Sequence, residues 1–138
     1  MKTIILKFGG TSVGTIERIK KVAQIISNYK RKKNRVAVVS SAMSGVTNDL
    51  AKKSRLISND FDEAEYDTLV SSGEQMSCAL LAGRLKHLGF KSRSWLSWQI
   101  PIFTTGPHSS ARIEKIFTKH LNHFMELGGI PIITGFQG

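Results

Sequence analysis

The sequence predicts an α/β fold: a mostly parallel sheet with helices packed on both faces. Three observations lead there. Short β-prone runs alternate with helical patterns along the whole chain. The run at 35–41 (RVAVVSS) is apolar almost without interruption, as a strand covered on both faces must be. Loops of glycine, serine and threonine follow the strands, where open α/β sheets place their ligands.

The elements follow in order. Residues 2–8 (KTIILKF) form a strand that ends at Gly9-Gly10. A helix is expected from about Thr15 to Lys30, because Ile16, Ile19, Ala23 and Ile26 recur at helical spacing. The strand at 35–41 leads into a small-residue loop from Ala42 to Val46, and Thr47, Asn48 or Asp49 caps a helix running to about Leu56. The acidic stretch 59–67 is expected to be a surface insert, and Ser71 and Ser72 to open the next helix. That helix has Met76, Leu80, Gly83 and His87 on one face and Leu81, Leu85 and Leu88 on another, so it should lie between layers. Gly83 costs a helix about 1 kcal/mol against alanine, which a closely approaching backbone would explain. Gly89 ends the helix. Residues 91–97 and 100–104 read as strands around Pro101, and 130–134 as the final strand. Residues 112–127 read either as a helix from Ile113 or as a strand before a shorter helix from Thr118.

Composition bounds the function classes. The 138 residues are 41% hydrophobic and 22% charged, which is globular and excludes a disordered or disulfide-scaffold protein. The lone cysteine, Cys78, cannot form an internal bridge, and no Cys/His spacing suggests a metal site. No apolar run is long enough for a membrane span, and Lys7 interrupts the first one too early for a signal peptide, so a cytoplasmic chain is expected. The net charge of +10 includes a dense run at Lys30, Arg31, Lys32, Lys33 and Arg35. No aromatics interleave with that run, which argues against nucleic acid as partner. A positive field also suits polyanionic small molecules such as nucleotides.

The chemistry concentrates in the loops after strands. Lys7, Gly9 and Gly10 place a positive charge beside two residues whose backbone N–H groups can approach a phosphate closely. The spacing from Gly9 to Gly14 matches the glycines of a P-loop, but Thr15-Ile16 stands where Lys-Ser/Thr should follow. It does not match the dinucleotide fingerprint either. A plain strand–helix turn explains the glycines equally well. The loop after the second strand carries Ser40, Ser41, Ser44, Gly45 and Thr47; that after the last carries Thr134, Gly135, Phe136, Gln137 and Gly138. Glu74 is the one acid near the Ser71-Ser72 helix start, where an acid complementing the helix dipole is the common explanation.

KFGGTSVG at 7–14 closely resembles the N-terminal signature of the aspartate kinases, within the amino-acid kinase family. VVSSAMSGVTN at 38–48 and SSGEQMSCALLAGRL at 71–85 resemble the second and third motifs of that family. HSSAR at 108–112 is a looser match, and IPIITGFQG at 130–138 resembles the strand and loop near the middle of the kinase domain. The resemblance implies transfer of the γ-phosphoryl group of ATP to the side-chain carboxylate of L-aspartate, the first step towards lysine, threonine and methionine. It implies Lys7 as the catalytic charge on the phosphates, with Phe8, Gly9 and Gly10 completing the cradle. It implies Ser41 and Thr47 as hydrogen-bonding partners of aspartate, Glu74 as partner of the aspartate ammonium group, and Mg²⁺ carried on the nucleotide phosphates. His108 is expected to be a loop residue, because an attacking carboxylate has no proton to lose.

The resemblance further implies that residues 1–138 are the N-terminal, amino-acid-substrate side of a kinase domain, incomplete at the C-terminus and without regulatory domains. The nucleoside pocket would lie beyond Gly138, so activity of these residues alone is not expected; a split enzyme completed by a second chain, or a non-catalytic remnant, are the alternatives. The family suggests an oligomer. The strand 130–134 is expected to be an exposed edge, its neighbours lying later in the family's chain.

Overall fold

A computed structural model describes residues 1–136; Gln137 and Gly138, part of the last motif, lie outside the described residues. The chain forms β1 (Thr3–Phe8), α1 (Ile16–Arg31), β2 (Arg35–Ser40), α2 (Val46–Ile57), α3 (Glu63–His87), β3 (Ser92–Trp95), β4 (Ile102–Thr105), β5 (Arg112–Ile116), α4 (Lys119–Glu126) and β6 (Ile130–Thr134). Four strands make a parallel sheet in the order β1-β2-β6-β3, and β4 and β5 form a separate antiparallel pair.

Alternation of side chains along the strands sorts the core into two layers. Val36 and Val38 of β2 and Ile130 and Ile132 of β6 point one way, into a cluster with Ile19, Val22 and Ile26 of α1 and Cys78, Leu81 and Leu85 of α3. On the other face Trp95, Ile100 and Leu121 of α4 close over Ile133. Helices therefore cover both faces, as expected.

The last strand is not an edge. β6 lies between β2 and β3 and is almost wholly buried. The crossover through α3, β3 and α4 supplies its second neighbour from within the chain. Pro131 is tolerated inside this central strand because pairing with β2 begins one residue later, at Ile132.

Two helix boundaries also differ from expectation. The acidic stretch is mostly not an insert: α3 begins at Glu63, with the Asp62 side chain accepting the Glu65 N–H at 2.9 Å. Carboxylates at a helix N-terminus meet unpaired N–H groups and the positive end of the dipole, so the acids belong to the helix they start. Ser71 and Ser72 are interior. α2 starts at Val46 behind Gly45, which adopts φ +84°, so Thr47, Asn48 and Asp49 lie in its first turn and none of them caps it. The ambiguous stretch resolves as a strand, β5, followed by a short helix, α4, behind Thr118.

α3 is covered on one side only. Cys78, Leu81, Ala82 and Leu85 are buried, but Met76 and Leu80 are exposed, and among the described residues nothing lies within 4 Å of where a Gly83 Cβ would stand. The close approach falls instead at Gly73, where a Cβ would stand 2.8 Å from Val46 Cγ1 and 3.2 Å from Leu50 Cδ1. The missing side chain lets α2 lie against α3.

Ile132 tests this core. It is fully buried in a central strand, so Ile132→Ala should lower the unfolding free energy by about 2–5 kcal/mol, read as a lower urea midpoint with an unchanged slope.

Candidate functional site

The strands β1, β2 and β6 end in register, Phe8 beside Ser40 and Ser40 beside Thr134. The loops that follow are joined by backbone hydrogen bonds: Ser41 N–H to Phe8 O at 3.1 Å, Ser44 N–H to Gly10 O at 3.0 Å, and Gly135 N–H to Ser40 O at 3.0 Å. Gly10 is required by this contact, since a Cβ there would lie 2.9 Å from the Ala42 carbonyl oxygen. The first loop then enters α1 through Thr15, whose hydroxyl accepts the Arg18 N–H at 3.2 Å.

Lys7 is the penultimate residue of β1, on its exposed face, and its Nζ lies 3.7 Å from the Cβ position of Gly9. The ammonium thus folds back over Gly9, while Phe8 packs the other way against the core. Ser41 is half-buried in the second loop, and its carbonyl accepts the Ser77 hydroxyl at 2.5 Å. Thr47 is exposed in the first turn of α2, a helix N-terminus that no side chain caps.

Glu74 is not at a helix start. It sits in the middle of α3, so dipole complementation does not account for it. It is 7% exposed, and its Oε2 is buried without a hydrogen-bond partner among the described residues. Burial pushes its carboxyl above the ordinary value of 4.5; a hydrogen bond from the Ala42 backbone and the Lys7 charge pull it part of the way back. The Cβ position of Gly135 is 3.6 Å from Oε2, so the third loop passes directly over the carboxylate. Lys7, the glycine pair, Ser41 and Glu74 are thus gathered at one end of the sheet. The neighbouring Cys78 thiol, desolvated and facing the Glu74 charge, is pushed up to about 12 and is inert as a nucleophile.

His108 and the basic run lie elsewhere. His108 is at the tip of the β4–β5 hairpin, with Nδ1 2.9 Å from Asp67 Oδ2. The basic run ends α1 and opens β2, at the opposite end of the strands. Sequence reading missed Asp67, and also a cleft of about 460 Å³ between α3 and the hairpin, lined in part by Ser71, Thr104, His108 and Phe136. The only available signal was a carboxylate two helical turns before Glu74.

Residues 2–138 match the model of the amino acid kinase family. The chain is 48% identical to an aspartokinase of Rickettsia felis and 45% identical to one of Geobacillus stearothermophilus, in each case over its full length. It spans about a third of those relatives, 35% and 34% respectively. Among solved structures, aspartate kinase from Synechocystis superposes on 96% of the chain with a TM-score of 0.83 and 35% identity, the match taking in 22% of that protein. E. coli aspartokinase III, solved with aspartate and ADP, has the same fold at 19% identity, with a TM-score of 0.77, 96% of this chain and 40% of its own covered.

The exposed carboxylates of the unfolded chain titrate lower than buried Glu74, so the native state holds this proton more tightly. Glu74 therefore stabilises the fold below the ordinary value of 4.5, and that stability is lost as pH rises through its raised native value. Glu74→Gln should remove this loss. Thermal melts should show the variant more stable than the unaltered chain at pH 7, with the difference shrinking towards pH 4.

Proposed function

Because the chain belongs to the amino acid kinase family, we propose that it forms the amino-acid-binding part of an aspartate kinase. In this reading an oxygen of the L-aspartate side-chain carboxylate attacks the γ-phosphorus of ATP. The new P–O bond forms as the bond to the β–γ bridging oxygen breaks, giving 4-phospho-L-aspartate and ADP. An ionised carboxylate needs no general base, so the protein's work is positioning and charge neutralisation.

The observation that carries the reading is Glu74: a carboxylate kept buried, with one oxygen unpartnered among the described residues, beside a glycine loop and a lysine. Such a group is costly to maintain, and an incoming ammonium group would offset the cost. In the proposal Glu74 receives the aspartate ammonium. Ser41, Thr47 and the uncapped first turn of α2 donate to its carboxylates. Lys7, with the N–H groups around Gly9 and Gly10 and Phe8 fixing their backbone, stabilises charge on the transferring phosphates.

Mg²⁺ would neutralise phosphate charge. No group of three or more His, Cys, Asp or Glu side chains is gathered for a metal among the described residues; in the proposal the ion is carried on the nucleotide phosphates. No helix among the described residues is long and apolar enough to cross a membrane, and the proposal places the reaction in the cytoplasm.

The direct test is ATP-dependent aspartyl hydroxamate formation. It should be run on this chain alone and with a polypeptide supplying the remainder of the relatives' length. Activity is expected in the completed protein; no activity in either would overturn the reading. In the active form Lys7→Met should lower turnover about 100-fold or more, as loss of a transition-state charge contact does. Glu74→Gln should raise the Michaelis constant for aspartate about tenfold or more, the cost of losing a charge-assisted contact, while that for ATP stays near its original value. Unchanged aspartate dependence would remove Glu74 from the site.

A further inference from the structure

Asp67 lies in the second turn of α3 and accepts three hydrogen bonds from the tip of the β4–β5 hairpin. His108 Nδ1 is 2.9 Å from Oδ2, the Ser109 N–H donates to the same oxygen at 3.1 Å, and the Ser109 hydroxyl donates to Oδ1 at 3.3 Å. An exposed ion pair alone contributes little. Here three donors converge on one carboxylate whose side chain is only 32% exposed, and Ser109 is held at φ +63°, a conformation that non-glycine residues avoid.

The hairpin needs this tie. It is not part of the main sheet, and every residue of β5 is exposed. Its base is anchored by Ile100 in the second core cluster, by Ile102 packed against it, and by the Phe117 N–H to Pro101 O bond at 3.1 Å. Its tip is bonded to α3 through Asp67. Between base and tip lies the cleft of about 460 Å³. Ser71 and Phe136 line the end of that cleft nearest Glu74: Ser71 is one helical turn before it, and Phe136 follows Gly135, which passes over its carboxylate.

We propose that Asp67 is a positioning residue: by clasping His108 and Ser109 it holds the hairpin as the outer wall of the cleft beside Glu74, and so sets the affinity for the amino-acid substrate. This rests on the reading of the site as an aspartate site. Asp67 touches neither substrate nor nucleotide in this scheme. It acts through the hairpin, and its removal should cost the amino acid affinity by leaving the wall to be ordered on binding.

Two measurements on the purified chain test it, with Asp67→Ala and Asp67→Glu as variants. Hydrogen exchange without ligand should show amides of 102–116 exchanging about fivefold faster or more in Asp67→Ala, with those of α1 and β6 unchanged. Asp67→Glu, which keeps the acceptor, should restore most of the protection. L-Aspartate affinity, by calorimetric titration, should weaken about fivefold or more in Asp67→Ala and recover in Asp67→Glu. Unchanged hairpin exchange overturns the clasp. A released hairpin with unchanged aspartate affinity overturns the positioning role while leaving the aspartate site standing. No aspartate binding by the unaltered chain, alone or completed, overturns the substrate reading and this role with it, and the exchange data still decide whether the clasp exists.

Discussion

Three parallel strands end in one row, and that flush ending is the constraint on which the rest of the site depends. Phe8, Ser40 and Thr134 are register partners, so the residues after each leave the sheet at the same level. Their loops have nowhere to go but across one another. The backbone bonds from Ser41 to Phe8, Ser44 to Gly10 and Gly135 to Ser40 satisfy polar groups that would otherwise be stranded at the sheet edge. Because these bonds use main-chain atoms, they leave side chains free for chemistry. They also demand close backbone approach, which is why Gly10 has no room for a Cβ beside the Ala42 carbonyl.

Within that frame Glu74 is an internal conflict. Local rules favour burying an apolar residue at a helix position facing a sheet, and the neighbours Cys78 and Leu81 obey them. Glu74 instead leaves one oxygen unpartnered among the described residues. The Ala42 hydrogen bond and the Lys7 charge counter its desolvation only in part, since the net shift is still upward. The proposed contact with a substrate ammonium group would account for a native structure that tolerates such a group where local rules would remove it.

How far the sequence could be read depended on whether local signals agreed with tertiary placement. β1, β2 and α1 were legible because the apolar runs, the Gly9-Gly10 stop after β1 and the helical spacing from Ile16 to Ile26 agree with where the fold places them. α3 was misread at both levels. Its acids look like a surface loop by composition, yet they are the natural start of a helix. Its apolar residues lie on all sides, so periodicity does not reveal which side the sheet covers. Met76 and Leu80 could not be told from Leu81 and Leu85 without the fold. The position of β6 was illegible for a different reason: strand order depends on crossovers, and no pattern within 130–134 encodes its neighbours. The glycine loop, Lys7, Ser41 and Glu74 were visible as motifs, but their convergence depends on registers and on Gly73 letting α2 approach α3, which are long-range facts.

α3 joins these pieces into one body. Its 25 residues pass the hairpin, α2 and the loops in succession. Asp67 meets His108 and Ser109, Gly73 admits Val46 and Leu50, and Ser77 donates to the Ser41 carbonyl. One turn before Ser77, Glu74 faces the third loop. A rigid helix fixes the spacing of all these contacts at once, at about 1.5 Å of rise per residue. Moving the hairpin therefore strains the same element that orients Glu74, and anything seated between the hairpin and Glu74 senses both. This long helix accordingly does more than cover the sheet: it sets the distance between the carboxylate that would receive a substrate ammonium group and the wall that would close around the rest of that substrate.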